Sequence, residues 1–392
     1  MTQTTFGRPA RRHWLLEEGM AFLNHGAFGA TPRRVLAAQD RWRLQMERQP
    51  LRFMMEEVID AVRGAADELG AYVGAAGTDL AFVENTTDGV NAILRSLRFS
   101  PGDEVLTGDH VYPAVEKTLR YVCARAGAQL RLASLGLPVE APDQIVAAFE
   151  RAITPATKLL VVDHVASGSG LVFPVRELVT LADRHGIPVL VDGAHALGML
   201  PLDLHAIGAT WYVANCHKWL CAPKGAAFLW AHPDDHRSRS GLHATVISHS
   251  YDEPFPAEFD WVGTRDFSSW LAVPEALAFR RSLGDDAVWA WNNRLAWEGG
   301  QRLAEAVGGP VAGPRSMHAS MAAVVIPGFE GADQDLGHAL RTLLWRRDRI
   351  EVGVPALLGR LTVRVSGQIY NEPEEYERLA AVLPARLEEL AG

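Results

Sequence analysis

The chain reads as an α/β protein: a large unit built on a mainly parallel, mixed sheet covered by helices, then a smaller C-terminal α/β unit. Three observations predict this. From residue 80 onward, short runs rich in Val, Leu and Ile alternate with amphipathic segments. Most of these runs are apolar throughout rather than every second residue, as expected of strands covered on both faces. At 392 residues the chain also exceeds what one hydrophobic core usually organises, so two domains are expected.

The elements follow in order. Residues 33–70 read as helical, because RRVLAAQDRWRLQMER repeats apolar positions three and four apart, with Thr31-Pro32 as cap and first-turn proline. Strands are expected at 80–83, 104–108, 130–134, 158–165, 187–195, 211–216 and 225–231. Helical segments such as YPAVEKTLRYVCARAG and FPVRELVTLADRHG separate most of them, the second closed by a glycine stop signal. The polar stretch after 235, through GTRD at 263–266, holds few elements, and a segment of that length in a compact enzyme is usually functional or interfacial. A helical segment begins near Leu271. The remainder gives helix 285–307, strand 321–327, helix 333–347, strand 361–367 and helix 373–390. The expected division is 20–270 for the large domain and 271–392 for the small one, with residues 1–19 as an arm packed on the latter.

Composition excludes several classes. Apolar residues are 48% and charged residues 22%, an ordinary globular balance that rules out disorder, collagen and coiled coil for the whole chain. A net charge of −9 without a basic block makes nucleic acid and anionic membranes poor partners. No uninterrupted apolar run reaches the ~18 residues of a membrane span. The start of the sequence lacks the apolar core of a secretory signal. The three cysteines, Cys123, Cys216 and Cys221, suit a reducing cytoplasm. No second Cys/His pair at zinc spacing accompanies Cys216 and Cys221, so no metal is expected.

The chemistry concentrates in VDGAHALGMLPLDLHAIGATWYVANCHKWLCAPKG, residues 191–225. Asp192 ends one apolar strand and Lys218 follows the next, and ligands of open α/β sheets gather at the carboxyl ends of strands. Singly, these residues would be a turn aspartate and a surface lysine. Together, with Lys218 in the apolar setting His-Lys-Trp-Leu, they suit a lysine of lowered pKa and Schiff-base chemistry. A carboxylate and a lysine so placed meet the needs of pyridoxal phosphate: an amine for the aldehyde and an acid partner for the ring nitrogen. ENTTDGVNAILRSL, residues 84–97, would supply a phosphate site, since a Thr-Thr pair opening a helix presents hydroxyl and N–H donors; alone, it would be a plain helix cap.

VDGAHALG followed by NCHKW resembles the class V aminotransferase family of fold-type I pyridoxal-phosphate enzymes. LNHGAFGATP, DHVYPAVEKTL, DHVASGSGLVFPV, GTRD and VRVSGQIYN are most similar to its isopenicillin N epimerase-like branch, over roughly residues 22–389. The resemblance implies roles for single residues. Lys218 is the Schiff-base lysine and proton carrier, Asp192 the partner of the ring nitrogen, and His195 a donor to the 3-oxygen. Thr86, Thr87, Asn215 and His217 hold the phosphate. Thr264 reaches the phosphate of the neighbouring subunit of a homodimer with shared active sites. His110 or Tyr112 stacks on the ring. Arg364 clamps the α-carboxylate of a small-molecule amino-acid substrate, with Asn24 and His25 bordering the pocket. Ser167 stands where desulfurases carry an Asn beside the ring.

Removal of the Cα proton is the implied chemistry, with epimerisation or racemisation as its outcome; β-elimination by a C–S lyase acting on an S-substituted cysteine is the alternative, and transamination is third. Cysteine desulfurase chemistry is disfavoured, because RDRIEVGVPALLGRLTVRVS, ahead of the Arg364 strand, contains no cysteine. The intact Lys218, Asp192 and His195 set argues against a catalytically idle binding module.

Overall fold

A computed structural model describes residues 5–391. The strands are β1 (Ala21–Phe22), β2 (Leu80–Val83), β3 (Glu104–Gly108), β4 (Gln129–Ala133), β5 (Thr157–Asp163), β6 (Val189–Asp192), β7 (Trp211–Asn215), β8 (Ala227–Ala231), β9 (Met321–Glu330), β10 (Ile350–Glu351), β11 (Ala356–Leu357) and β12 (Arg360–Ser366). Seven of them form one sheet in the order β2-β8-β7-β6-β5-β3-β4. Strands β7, β6, β5, β3 and β4 run parallel, and β8 runs against both its neighbours. The expected mixed, mainly parallel sheet is therefore present, and its carboxyl edge collects the ends of β3, β5, β6 and β7. Apolar cores fill both faces: Val162, Val191, Tyr212 and Phe228 belong to one, and Val161, Leu190, Val213 and Leu229 to the other.

The smaller unit is the antiparallel sheet β11-β12-β9 packed against helices Asp285–Val307, Gln334–Asp348 and Pro373–Ala391. Its core, with Leu295, Val324, Val363 and Tyr376, is separate from the two above. Strand β1 pairs in parallel with β10, so residues 21–22 join C-terminal backbone rather than the large sheet. The described part of the N-terminal arm also meets C-terminal residues: Gly7 N–H donates to the Ile369 carbonyl at 2.7 Å, and Trp14 packs edge-on against Tyr370. Residues 1–4 of that arm lie outside the described residues. Helix Val273–Leu283 places Leu277 and Phe279 in a core of the large sheet. The C-terminal core begins farther along, on helix Asp285–Val307.

The single helix expected at 33–70 is interrupted. Helix Arg33–Arg48 stops at Gln49, whose φ is −153°; Pro50 starts a short turn, a π-helical segment covers Phe53–Glu57, and Val58–Val73 completes the run. Pro50 lacks the N–H that would continue the ladder, which the apolar periodicity of the segment does not register.

Candidate active site

A cavity of about 620 Å³ opens at the carboxyl edge of the large sheet, in the size range of a cofactor site. Asp192 and Asn215 reach it from the last residues of β6 and β7; Lys218 and His217 come from the turn joining β7 to β8. Thr86 and Thr87 open helix Thr86–Ser96, so its free N–H groups face the same space. The fold thus gathers Lys218, Asp192, His195, Thr86, Thr87, Asn215, His217 and Tyr112 around one cavity.

Lys218 is half-buried, and its Nζ lies 3.1 Å from His195 Nε2. Burial, reinforced by the Arg364 charge and opposed by Asp192, lowers the Lys218 pKa to about 7. Trp219 Nε1–H donates to His195 Nδ1 at 3.4 Å. An indole is a donor only, so this bond leaves the His195 proton on Nε2, facing the lysine nitrogen. Burial and the neighbouring cations hold His195 well below its ordinary pKa, so it is a neutral donor. Asp192 accepts from the Ala194 N–H at 2.9 Å; burial raises its pKa, opposed by that bond and by Lys218.

The cluster of Thr86, Asn215 and His217 has unspent polar atoms. Asn215 Oδ1 takes the Thr86 N–H at 2.9 Å, which fixes the amide and leaves its NH₂ free. Thr86 Oγ1 is buried without a partner, a costly state for a polar atom unless an anion occupies the cavity. His217 spends Nδ1–H on the Ala226 carbonyl at 3.1 Å. Its neutral ring is then only an acceptor at Nε2, so it donates to an anion as imidazolium; burial and two lysines lower its pKa to about 4, which a phosphate charge would oppose. Thr264 is exposed and does not line its own chain's cavity, although the adjacent Arg265 pairs with Glu84 on the cavity wall.

Arg364, on β12, is buried and meets no carboxylate. Its guanidinium donates to the Ser167 carbonyl, to Ser167 Oγ at 3.3 Å and to Asn24 Oδ1 at 3.2 Å, while Nε has no partner. Burial lowers its pKa to about 10. An unneutralised buried cation beside Ser167, itself on the cavity wall, suits an anionic ligand.

Three expectations need correction. His110 does not reach the cavity: Nε2–H donates to the Gly136 carbonyl at 2.9 Å and Nδ1 lies 3.1 Å from Ser169 Oγ, so both nitrogens are spent behind Phe173. Of the two stacking candidates, Tyr112 is the one on the cavity wall, 41% exposed. His25 is fully buried between Lys218 O (3.0 Å) and Tyr370 OH (2.8 Å), which makes it a brace for the lysine turn rather than a substrate contact. Asn24 meets Arg364 and, through Nδ2, Glu351 at 3.1 Å, so it orients the arginine. The motif holding both is a clasp: a Cβ on Gly29 (φ +67°) would lie 2.0 Å from the His217 carbonyl. Close backbone approach explains that glycine.

Sequence reasoning passed over Asp163 and Lys224, which also line the cavity. Asp163 carried the signal that found Asp192, an acid ending an apolar strand. Lys224 had none, since its position depends on the fold of the turn after Lys218. Cys216 and Cys221 are buried, and burial pushes the Cys221 thiol up to about 12, so they are spectators. Among the described residues no cluster of metal-ligating side chains occurs, and no helix is long and apolar enough to cross a membrane.

Comparison with known proteins places this geometry. The aminotransferase class-V family model matches residues 21–379. Isopenicillin N epimerase of Streptomyces clavuligerus is 33% identical, over 96% of this chain and 97% of that one. A putative L-cysteine desulfhydrase of Oryza sativa subsp. japonica is 34% identical, over 93% of this chain and 82% of the relative. Among solved structures, an apo cysteine desulfurase from Thermococcus onnurineus NA1 superposes with a TM-score of 0.83 at 19% identity, over 99% of this chain and 100% of that one; it shares the fold. The chain belongs to the class V aminotransferase family of pyridoxal-phosphate-dependent enzymes.

Proposed function

We propose that this protein removes the Cα proton of an amino-acid substrate and returns it to the opposite face, as an epimerase or racemase. The observation that carries the reading is the poised Lys218 amine, 3.1 Å from His195 and under the charge of Asp192, in a cavity whose wall residue Ser167 contacts the unneutralised Arg364. Pyridoxal phosphate, when bound, supplies the electron sink that acidifies Cα–H. Asp192 would partner its ring nitrogen, Thr86, Thr87, Asn215 and His217 its phosphate, and Tyr112 its face. Arg364, braced by Asn24 and the Ser167 carbonyl, would bind the α-carboxylate and so present Cα to Lys218. Near neutral pH a substantial fraction of Lys218 is the free amine that can take the proton.

A second reading is β-elimination by a C–S lyase acting on an S-substituted cysteine; the relatives named as L-cysteine desulfhydrases favour its C–S cleavage. It needs the same residues up to proton removal. Persulfide relay has no support, because residues 352–359 ahead of β12 hold no cysteine. The two readings part at the product. Incubation with L-amino acids and S-substituted cysteines is expected to yield D-amino acid by chiral chromatography, and pyruvate with ammonia would overturn epimerisation in favour of elimination.

Uptake of pyridoxal phosphate by cofactor-free protein should follow the Lys218 amine. Below its lowered pKa the nitrogen is protonated and unreactive, and above it free, so the rate of covalent uptake should rise with pH through a midpoint near 7. A midpoint near 10 would remove the lowered pKa from the account.

We further propose a homodimer in which Thr264 completes the partner's phosphate site. Its exposure, the Arg265–Glu84 pair beside the cavity wall, and the exposed apolar side chains Leu44, Leu51 and Met55 support this reading. Mixing Thr264→Ala with Lys218→Ala subunits should restore activity, since one site of each hybrid would carry neither lesion. Hybrids no more active than the parents, or a fully active monomer in sedimentation, would dismiss shared sites.

A further inference from the structure

The acid that ends β5 has no role in the reading above. Asp163 and Asp192 are register partners on adjacent parallel strands, so their side chains leave the same face of the sheet at its carboxyl edge. Both are buried and both line the cavity. The Tyr112 backbone also bears on Asp163 and opposes the rise in its pKa, and Tyr112 carries the ring proposed to cover the cofactor. We propose that Asp163 is a positioning residue: as the neutral acid it donates its proton to the Asp192 carboxylate and accepts from Tyr112, locking the ring-nitrogen partner and the stacking ring into one hydrogen-bonded unit. One proton is held between two carboxyl groups, and none is consumed.

The surroundings agree. The groups around the pair are His195 after β6, Tyr112 after β3, Tyr212 on β7, Lys218, and Arg364 on β12. Lys218 lowers the Asp192 pKa, whereas the charge that bears on Asp163 is that of Asp192 itself. Burial and this like charge raise Asp163 well above the carboxylate range, so the proton resides there. His164, hydrogen-bonded through Nδ1 to Tyr212 OH at 2.7 Å, is held neutral by burial, with its pKa lowered to about 4, and offers no counter-charge. In this site Asp192 would then meet the ring nitrogen as an anion moderated by a neighbouring donor.

The inference rests on the cofactor role proposed for Asp192, and the test separates the two. An asparagine at 163 reproduces the neutral acid, with one acceptor for Tyr112 N–H and one donor for Asp192. Asp163→Asn should keep pyridoxal phosphate affinity within about twofold, while Asp163→Ala should weaken it roughly tenfold, the effect of one charge-assisted hydrogen bond. The pH midpoint of the bound cofactor's absorbance should move in Asp163→Ala and stay in Asp163→Asn. A second readout uses cofactor-free protein. An acid whose folded pKa is raised loses stability as pH climbs from the carboxylate range to that raised value, so the fall in Tm with rising pH should be shallower in Asp163→Asn than in wild type. An Asn variant as defective as the Ala variant, or an Ala variant with unchanged affinity and midpoint, overturns the inference. Should Asp192→Asn also leave the midpoint in place, the cofactor reading of Asp192 falls with it; a shift in Asp192→Asn alone sinks only Asp163.

Discussion

Lys218→Ala should lower turnover by at least about 10²–10⁴-fold, the range a positioned proton carrier contributes, while the protein still binds pyridoxal phosphate. The residues proposed to hold the phosphate, Thr86, Thr87, Asn215 and His217, sit on other elements or earlier in the turn, so truncating one side chain leaves them in place. The residual activity should be nearly flat in pH, so the loss should grow as pH rises through about 7, because the missing group is the one that titrates there. Borohydride reduction of the wild-type holoenzyme should fix the cofactor to one lysine, and peptide mapping identifies it. Label on a lysine other than Lys218, such as the cavity-lining Lys224, would reassign the site.

Arg364→Met should cost about 1.5–3 kcal/mol in recognition of the α-carboxylate, the magnitude of a hydrogen bond to a charged group. That is roughly ten- to a hundredfold in kcat/KM, at ~1.4 kcal/mol per decade, and every amino-acid substrate should share it. Arg364→Lys should recover part, because an ammonium cannot reproduce the planar fork. Both variants should still bind pyridoxal phosphate, since Arg364 contacts Ser167 and Asn24 rather than Thr86, Thr87, Asn215 or His217. Asn24→Ala should show a milder version of the same defect by releasing one arm of the guanidinium. Wild-type kcat/KM in Arg364→Met would mean that the carboxylate is held elsewhere, and Lys224 would be the first residue to test.

Much of the large sheet and the chemical core of the site were legible because they rest on local patterns. Continuous apolar runs marked the strands, and an acid or a lysine in an apolar setting at a strand end marked Asp192 and Lys218. The threonines at a helix start marked Thr86 and Thr87, which the fold brings to the cavity, and the missing cysteine ahead of β12 spoke against a persulfide relay. Those are properties of a few consecutive residues. Register, packing and the spending of hydrogen bonds are not, and the tertiary structure alone decided them. It gave His110 to Gly136 and Ser169, leaving Tyr112 at the cavity. It turned His25 and Asn24 from pocket residues into braces, because the Gly29 turn presses that segment against the His217 carbonyl. It stripped Arg364 of any carboxylate partner, and it set Asp163 beside Asp192 through the pairing of β5 with β6. A side chain's chemistry belongs to its residue type, but its charge state and its free donors depend on which neighbours the fold brings within hydrogen-bond reach.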